Sequence, residues 1–218
     1  YNVQNNLNIS QIWNVTDHIN PKVVSNQSTG SNFIFKSKGG ALQEYIILND
    51  LNYFNPELLP KSLIANQNLH ILQDIDYVII TRDYLMGEAE RLASYHRENS
   101  GLNVKVIDLE EIYNEFGSGS PDLLAIKDFV RHLYLNASSA NSKVKYVCLF
   151  GDSSYDFKNR INDNNNIVPS FESFESFDLA RSYVTDDIYG MMDANEGGLD
   201  LGDKQDVATG RFPVTSVM

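Results

Sequence analysis

Between residues 77 and 152 the chain alternates apolar runs too short to be helices with amphipathic stretches too long to be strands, and this alternation constrains its fold most. YVIIT, starting at Tyr77, reads as a buried strand. GEAERLASYHRENSG follows as a helix, with Ala89, Leu92, Ala93, Tyr95 and His96 on one face and Gly101 as its stop. NVKVIDL gives a second strand, DLEEIYNEF a short helix, and PDLLAIKDFVRHLYLNA a longer one. Pro121 stands near the start of that longer helix, and Leu124, Phe129 and Leu133 are the residues expected on its apolar face. VKYVCLFGD is the third strand. Strands joined by helices of this length need right-handed crossovers and a parallel sheet, so the fold class is α/β with flanking helices.

A parallel sheet keeps its sites at the carboxyl edge of its strands. The third strand delivers Gly151 and Asp152 there, with Asp156 four residues on. Beyond it the regularity weakens into INDNNN, IVPSF, the short echo FESFESF, SYVTDDIYG, MMDANEGGLDLGDKQD and VATGRFPV. Asp186 and Asp187 stand together, and Asp193, Asn195, Glu196, Asp200, Asp203 and Asp206 crowd one glycine-containing loop. Calcium takes six to eight hard oxygens from flexible loops, so Asp152, Asp156, Asp186, Asp187 and Asp193 are candidate calcium ligands. A solvated acidic loop explains the same residues equally well. The stretch is no EF-hand, because Lys204 stands where the bidentate glutamate belongs. A phospho-acceptor pocket of clustered aspartates would need an acidic pair after the first strand, where only Arg82 and Asp83 occur. Neither glycine-rich phosphate fingerprint is present.

Cys148, the only cysteine, sits in the middle of an apolar strand. The thiolate is the reactive form and burial disfavours it, so this residue is expected to be core filler and not a nucleophile. A lone cysteine also excludes an intrachain disulfide and a cysteine zinc site. His18, His70, His96 and His132 show no i, i+4 metal pair, and each reads as a solvated or half-buried side chain. No catalytic residue is assigned within the chain.

Residues 1–50 have a different rhythm. QIWNV, VVS, NFIFKS and QEYIIL are short strands separated by turn signals at Asp17, Asn20-Pro21, Thr29-Gly30 and Gly39-Gly40, which predicts a β-rich segment at the end of a preceding, sandwich-like β domain. Residues 51–76, with Pro56 and Pro60, read as a connector, and 77–218 as a truncated α/β subdomain. A start at Tyr1 without a leader and a halt just after GRFPV both suggest cuts in a longer protein. Sequons at Asn8, Asn14, Asn26 and Asn136 carry no weight in so asparagine-rich a chain. The longest apolar runs are too short to span a bilayer. The net charge of −12 repels a phosphate backbone, so nucleic acid is not an expected partner; divalent cations and basic peptides are.

Several of these segments, in order, resemble the gingipain family of cysteine peptidases, and within it the sortase branch of the type IX secretion system. They are IWNVTDHINPKVV, ANQNLH, DYVIIT, HRENSGLNVKVI, IYNEFGSGSPDLLAIKDFVRHLY, KYVCLFGDSSYD, SYVTDDIYG and TGRFPV. The resemblance covers nearly the whole chain. It implies a caspase-like catalytic domain after a β-rich region, in a protein secreted by or held on the surface of a Bacteroidetes-type bacterium. Protein or peptide substrates, secretion-system components as partners, and structural calcium are implied with it. The family's catalytic histidine and cysteine follow the GRF strand, so the piece itself is expected to be inactive. A non-catalytic, calcium-stabilised surface scaffold is the competing reading, and it needs no such pair.

Overall fold

The computed structural model describes residues 1–4, 8–49, 53–57, 63–158, 160–173, 177–199 and 202–217. Asp200, the middle of FESFESF and Met218 lie outside them. The chain divides into two compact units, Tyr1–Ile64 and Ala65–Met218, so the observed division falls inside the segment read as a connector.

Among its described residues, the elements of the first unit are all β-strands. β1 (Asn2–Val3) pairs antiparallel with β4 (Phe33–Ile34), while β2 (Ile9–Asn14) is flanked antiparallel by β3 (Lys22–Val23) and β5 (Tyr45–Asn49). Its buried core is thin: Ile12, Phe33 and Phe35, with Tyr45 tilted against Phe35 at 5.0 Å between ring centroids.

The second unit carries a four-stranded, all-parallel sheet in the order β11-β8-β6-β7, from β6 (Tyr77–Thr81), β7 (Val104–Asp108), β8 (Tyr146–Phe150) and β11 (Ala208–Phe212). β9 (Phe171–Glu172) and β10 (Val184–Thr185) form a separate antiparallel pair between β8 and β11 in sequence. α1 (Met86–Ser100) crosses from β6 to β7, and α2 (Leu109–Phe116) with α3 (Leu123–Leu135) returns to β8. The two crossovers run in opposite directions along the sheet, so right-handedness puts α1 on one face and α2 with α3 on the other. VATGRFPV is therefore more than a trailing strand start: Gly210 lies opposite Cys148 and Phe212 opposite Phe150 in a parallel fourth strand.

Local chemistry fixes the helix ends. Asp108 and Asp122 cap α2 and α3 by accepting the N–H of Glu110 and Leu124, and Gly101 ends α1 at φ 64°, which glycine adopts freely. α1 buries Ala89 and Ala93, whereas Tyr95 is exposed. In α3 the buried stripe is Ala125, Ile126, Phe129, Val130 and Leu133. Leu124, expected on that face, is 47% exposed. Five residues of helix rotation, about 140° at 3.6 residues per turn, separate it from Phe129.

The segment just before β6 is held to the ends of α2 and α3. Glu115 accepts the Leu69 N–H at 2.8 Å and the Gln67 amide at 3.0 Å, and pairs with His70 Nδ1 at 2.6 Å. The His70 ring stacks on Phe116 at 4.5 Å, and its carbonyl lies 3.0 Å from His132 Nε2. Burial pushes the Glu115 carboxyl up, but the Leu69 N–H, the Gln67 amide and His70 together outweigh it and hold the group below its usual 4.5. A depressed carboxylate contributes stability above its unfolded pKa and loses it as pH falls through the folded value. Stability measured by urea unfolding should therefore drop below about pH 4.5 more steeply in the wild type than in Glu115→Gln, and parallel curves would remove Glu115 as the cause.

Candidate functional site at the carboxyl edge of the sheet

The loops leaving β8 are drawn over the sheet edge by backbone pairing. Gly151 N–H continues the β8–β11 ladder to Phe212 O at 3.0 Å, and Asp152 N–H reaches Val214 O at 2.9 Å. The Asp152 carbonyl then accepts from both Ile167 and Val168 N–H, at 3.0 and 3.1 Å. Ile167 thereby closes on Gly151, where an added Cβ would stand 2.6 Å from its Cγ2. Only glycine leaves room for that approach.

Arg211, on β11, ties this edge together. Its Nε and Nη2 bind Asp186 bidentately, at 2.8 and 2.7 Å. Nη1 donates to Gly151 O at 2.8 Å and Val168 O at 2.6 Å, and Nη2 to Pro169 O at 3.3 Å. All five guanidinium N–H groups thus have an acceptor. The pair is largely desolvated, with 12% of the Arg211 and 22% of the Asp186 side chain exposed. Tyr189, fully buried, donates its hydroxyl to the same Pro169 carbonyl at 2.9 Å.

The five candidate aspartates take separate places around this hub. Asp152 accepts from Ser153 N–H at 2.9 Å and from the Asn165 amide. Asp156 is buried and accepts from Ile161 N–H at 2.7 Å, while Asn164 bonds its carbonyl at 2.6 Å. Asp186 holds Arg211, and Asp187 accepts from the Gln205 amide at 2.9 Å. Asp193 gives its N–H to Glu196 Oε2 at 3.2 Å. In the same loop Asp203 accepts from Gly197 N–H and Asp206 from Met192 N–H, while Lys127 and Arg131 of α3 donate to the Glu196 and Met192 carbonyls. Among the described residues no three His, Cys, Asp or Glu side chains converge as a metal site. Asp152, Asp156, Asp203 and Asp206 accept from the loops' own N–H groups, whereas Asp186 and Asp187 accept from the side chains of Arg211 and Gln205.

Cys148 lies on β8 beneath this edge and is 3% exposed. Burial pushes its thiol up to about 11, against smaller opposing effects from the Tyr77 hydroxyl and the Arg211 charge. At pH 8 ionisation alone should slow native-state alkylation of Cys148 on the order of a hundredfold relative to the urea-unfolded chain, as mass spectrometry of the labelled protein would show. Comparable rates would mean the strand exposes a reactive thiol.

Sequence reasoning reached the edge through its aspartates and passed over Arg211. The available signal was a single cation in the otherwise uncharged run VATGRFPV, on a strand adjoining that acidic edge.

An open, all-parallel α/β domain whose loops gather at the strands' carboxyl ends is a class of fold that hosts catalytic sites there. The pattern of Peptidase family C25 matches residues 70–218, and the chain belongs to that family, the gingipain family. The crystal structure of dimeric latent PorU from Porphyromonas gingivalis is similar to it, with a TM-score of 0.75 and 27% identity over 94% of this chain. The flanked parallel sheet preceded by antiparallel β structure is thus the caspase-like arrangement of that relative. The chain spans 20% of the length of the PorU chain. Nothing among curated proteins matches it.

Proposed function

We propose that the chain is the N-terminal part of a gingipain-type cysteine peptidase acting as a sortase on secreted cargo proteins. The observation that carries this reading is the family match over residues 70–218, the same stretch whose loops Arg211 gathers at the sheet edge. The proposed nucleophile and base are a cysteine and a histidine C-terminal to Met218, at the ends of further strands. There a thiolate attacks the scissile carbonyl, the amine leaves with a proton from the histidine, and a thioester remains. An acceptor amine or water then releases the acyl group and restores the thiolate. The 151–170 loop and Asp186 frame that site without touching the reacting atoms. Secretion or attachment at the bacterial outer surface, with secretion-system components as partners, belongs to the same proposal; among the described residues no helix is long and apolar enough to cross a membrane.

Peptide cleavage or transfer by the full-length protein tests the reading. Activity that survives Cys148→Ala and disappears when a downstream cysteine is replaced supports it. Loss of turnover on Cys148→Ala with the fold intact, or a full-length protein with no such histidine and cysteine, overturns it. Calcium is a separate proposal: Asp152, Asp156, Asp186 and Asp187 accept from the protein's own donors and no three of the described carboxylates converge, so an ion would have to displace those donors and draw the loops together. A higher melting temperature in calcium than in chelator supports that, and equal temperatures remove calcium from the account.

A further inference from the structure

All-parallel sheets are covered on both faces, since their strands are apolar on both. Here one face is closed by α2, α3 and the turn at Ile188 and Tyr189, which packs on α3. Among the described residues, the opposite face is covered chiefly by α1, which packs over β7 and β6. On that face the register places Tyr77, Tyr146 and Ala208 in one row, and Ile79, Cys148 and Gly210 in the next. Ile79 is fully buried, but toward the β11 edge Tyr146 is 45% and Phe212 48% exposed. A groove of about 610 Å³ runs there, between the C-terminal end of α1 at His96 and Ser100 and the strands β8 and β11.

Gly210 adds an independent indication. A Cβ built on it meets nothing within 4 Å, and its φ is not positive, so neither space nor backbone conformation among the described residues calls for glycine. Glycine inside a strand is destabilising relative to alanine and commonly marks the close approach of another backbone. With Ala208 beside it on the same face, it makes a shallow saddle between the rings of Tyr146 and Phe212.

We propose that this strip seats an amphipathic helix of the same polypeptide, supplied C-terminal to Met218 in the full-length protein. This rests on the reading that the chain continues into the rest of a peptidase, and the similar PorU chain is about five times as long. A helix fits because the bare surface is a sheet face and not a strand edge. A right-handed crossover from β11 to a neighbouring strand runs on the α2 side, as the connection from β8 to β11 does. The occupant is therefore a later helix that returns over the α1 side. The strip is a seam between the two halves of the catalytic domain.

Thiol accessibility tests the seam without reference to activity. Gly210→Cys is introduced into both the 1–218 chain and the full-length protein, with Glu98→Cys on the exposed side of α1 as reference and alkylation followed site by site by mass spectrometry. In the 1–218 chain both positions should react at similar rates. In the full-length protein Gly210→Cys should react at least about tenfold more slowly, at every protein concentration. Ala208→Cys reads the same strip if Gly210→Cys fails to fold. Equal reactivity in both proteins overturns the proposal. Protection that already appears in the 1–218 chain and grows with concentration also overturns it, by making a second copy the occupant. Protection in a full-length protein without peptidase activity would leave the seam standing while the functional reading falls.

Discussion

Arg211→Ala is expected to cost about 3–5 kcal/mol, because it leaves the largely desolvated Asp186 carboxylate, 22% exposed, without its partner. The carbonyls of Gly151, Val168 and Pro169 lose their guanidinium donors in the same step. Arg211→Lys should recover only part of the loss, since an ammonium cannot reproduce the planar fork that serves Asp186 from one side and three carbonyls from the other. Urea unfolding at constant slope measures the change. Removing Asp186 as well should cost less than the sum of the two single losses, because the residues share one network. A loss below about 1 kcal/mol for Arg211→Ala would reduce the hub to an ordinary surface ion pair.

Tyr189→Ala should be comparably damaging, about 3–5 kcal/mol, because Tyr189 is among the largest fully buried side chains and its removal opens a cavity under the loops. Tyr189→Phe separates packing from hydrogen bonding. It should cost about 0.5–1.5 kcal/mol, and the low end is expected because Pro169 O keeps the Arg211 Nη2 donor. Thermal melts of the two variants read the difference. Equal losses would place the whole contribution in the hydroxyl.

The sheet was legible because its strands and helices are periodic on their own. YVIIT and YVCLF are continuous apolar runs, NVKVIDL is broken within its strand only by the exposed Lys105, and Asp108, Asp122 and Gly101 punctuate the helices where capping chemistry requires them. Leu124 shows the limit of such reading: its composition suits a core, but the stripe of Ile126, Phe129 and Leu133 sets the phase of α3 and turns Leu124 outward. The edge was less legible. Clustered aspartates signal oxygen donors, yet donors to a cation and acceptors for loop N–H groups have the same letters. What decides between them is the path of the backbone, and the residue that sets that path, Arg211, lies on a later strand. INDNNN reads in sequence only as a polar, asparagine-rich loop, whereas Asn164, Asn165 and Asn166 bond back to Asp156, Asp152 and Ser154 N–H across the loop.

The position of Arg211 also bears on when the edge can form. Its contacts with Gly151, Val168 and Asp186 span 60, 43 and 25 residues. Contacts so distant in sequence are slow to close, because loop entropy is spent before any bond is made. A chain emerging N-terminus first can assemble β6, β7 and β8 with their helices while the loops above them still have no clasp. The rim of the sheet is then set by one late event, the docking of β11, and a chain interrupted before residue 211 would hold a formed sheet beneath unformed loops.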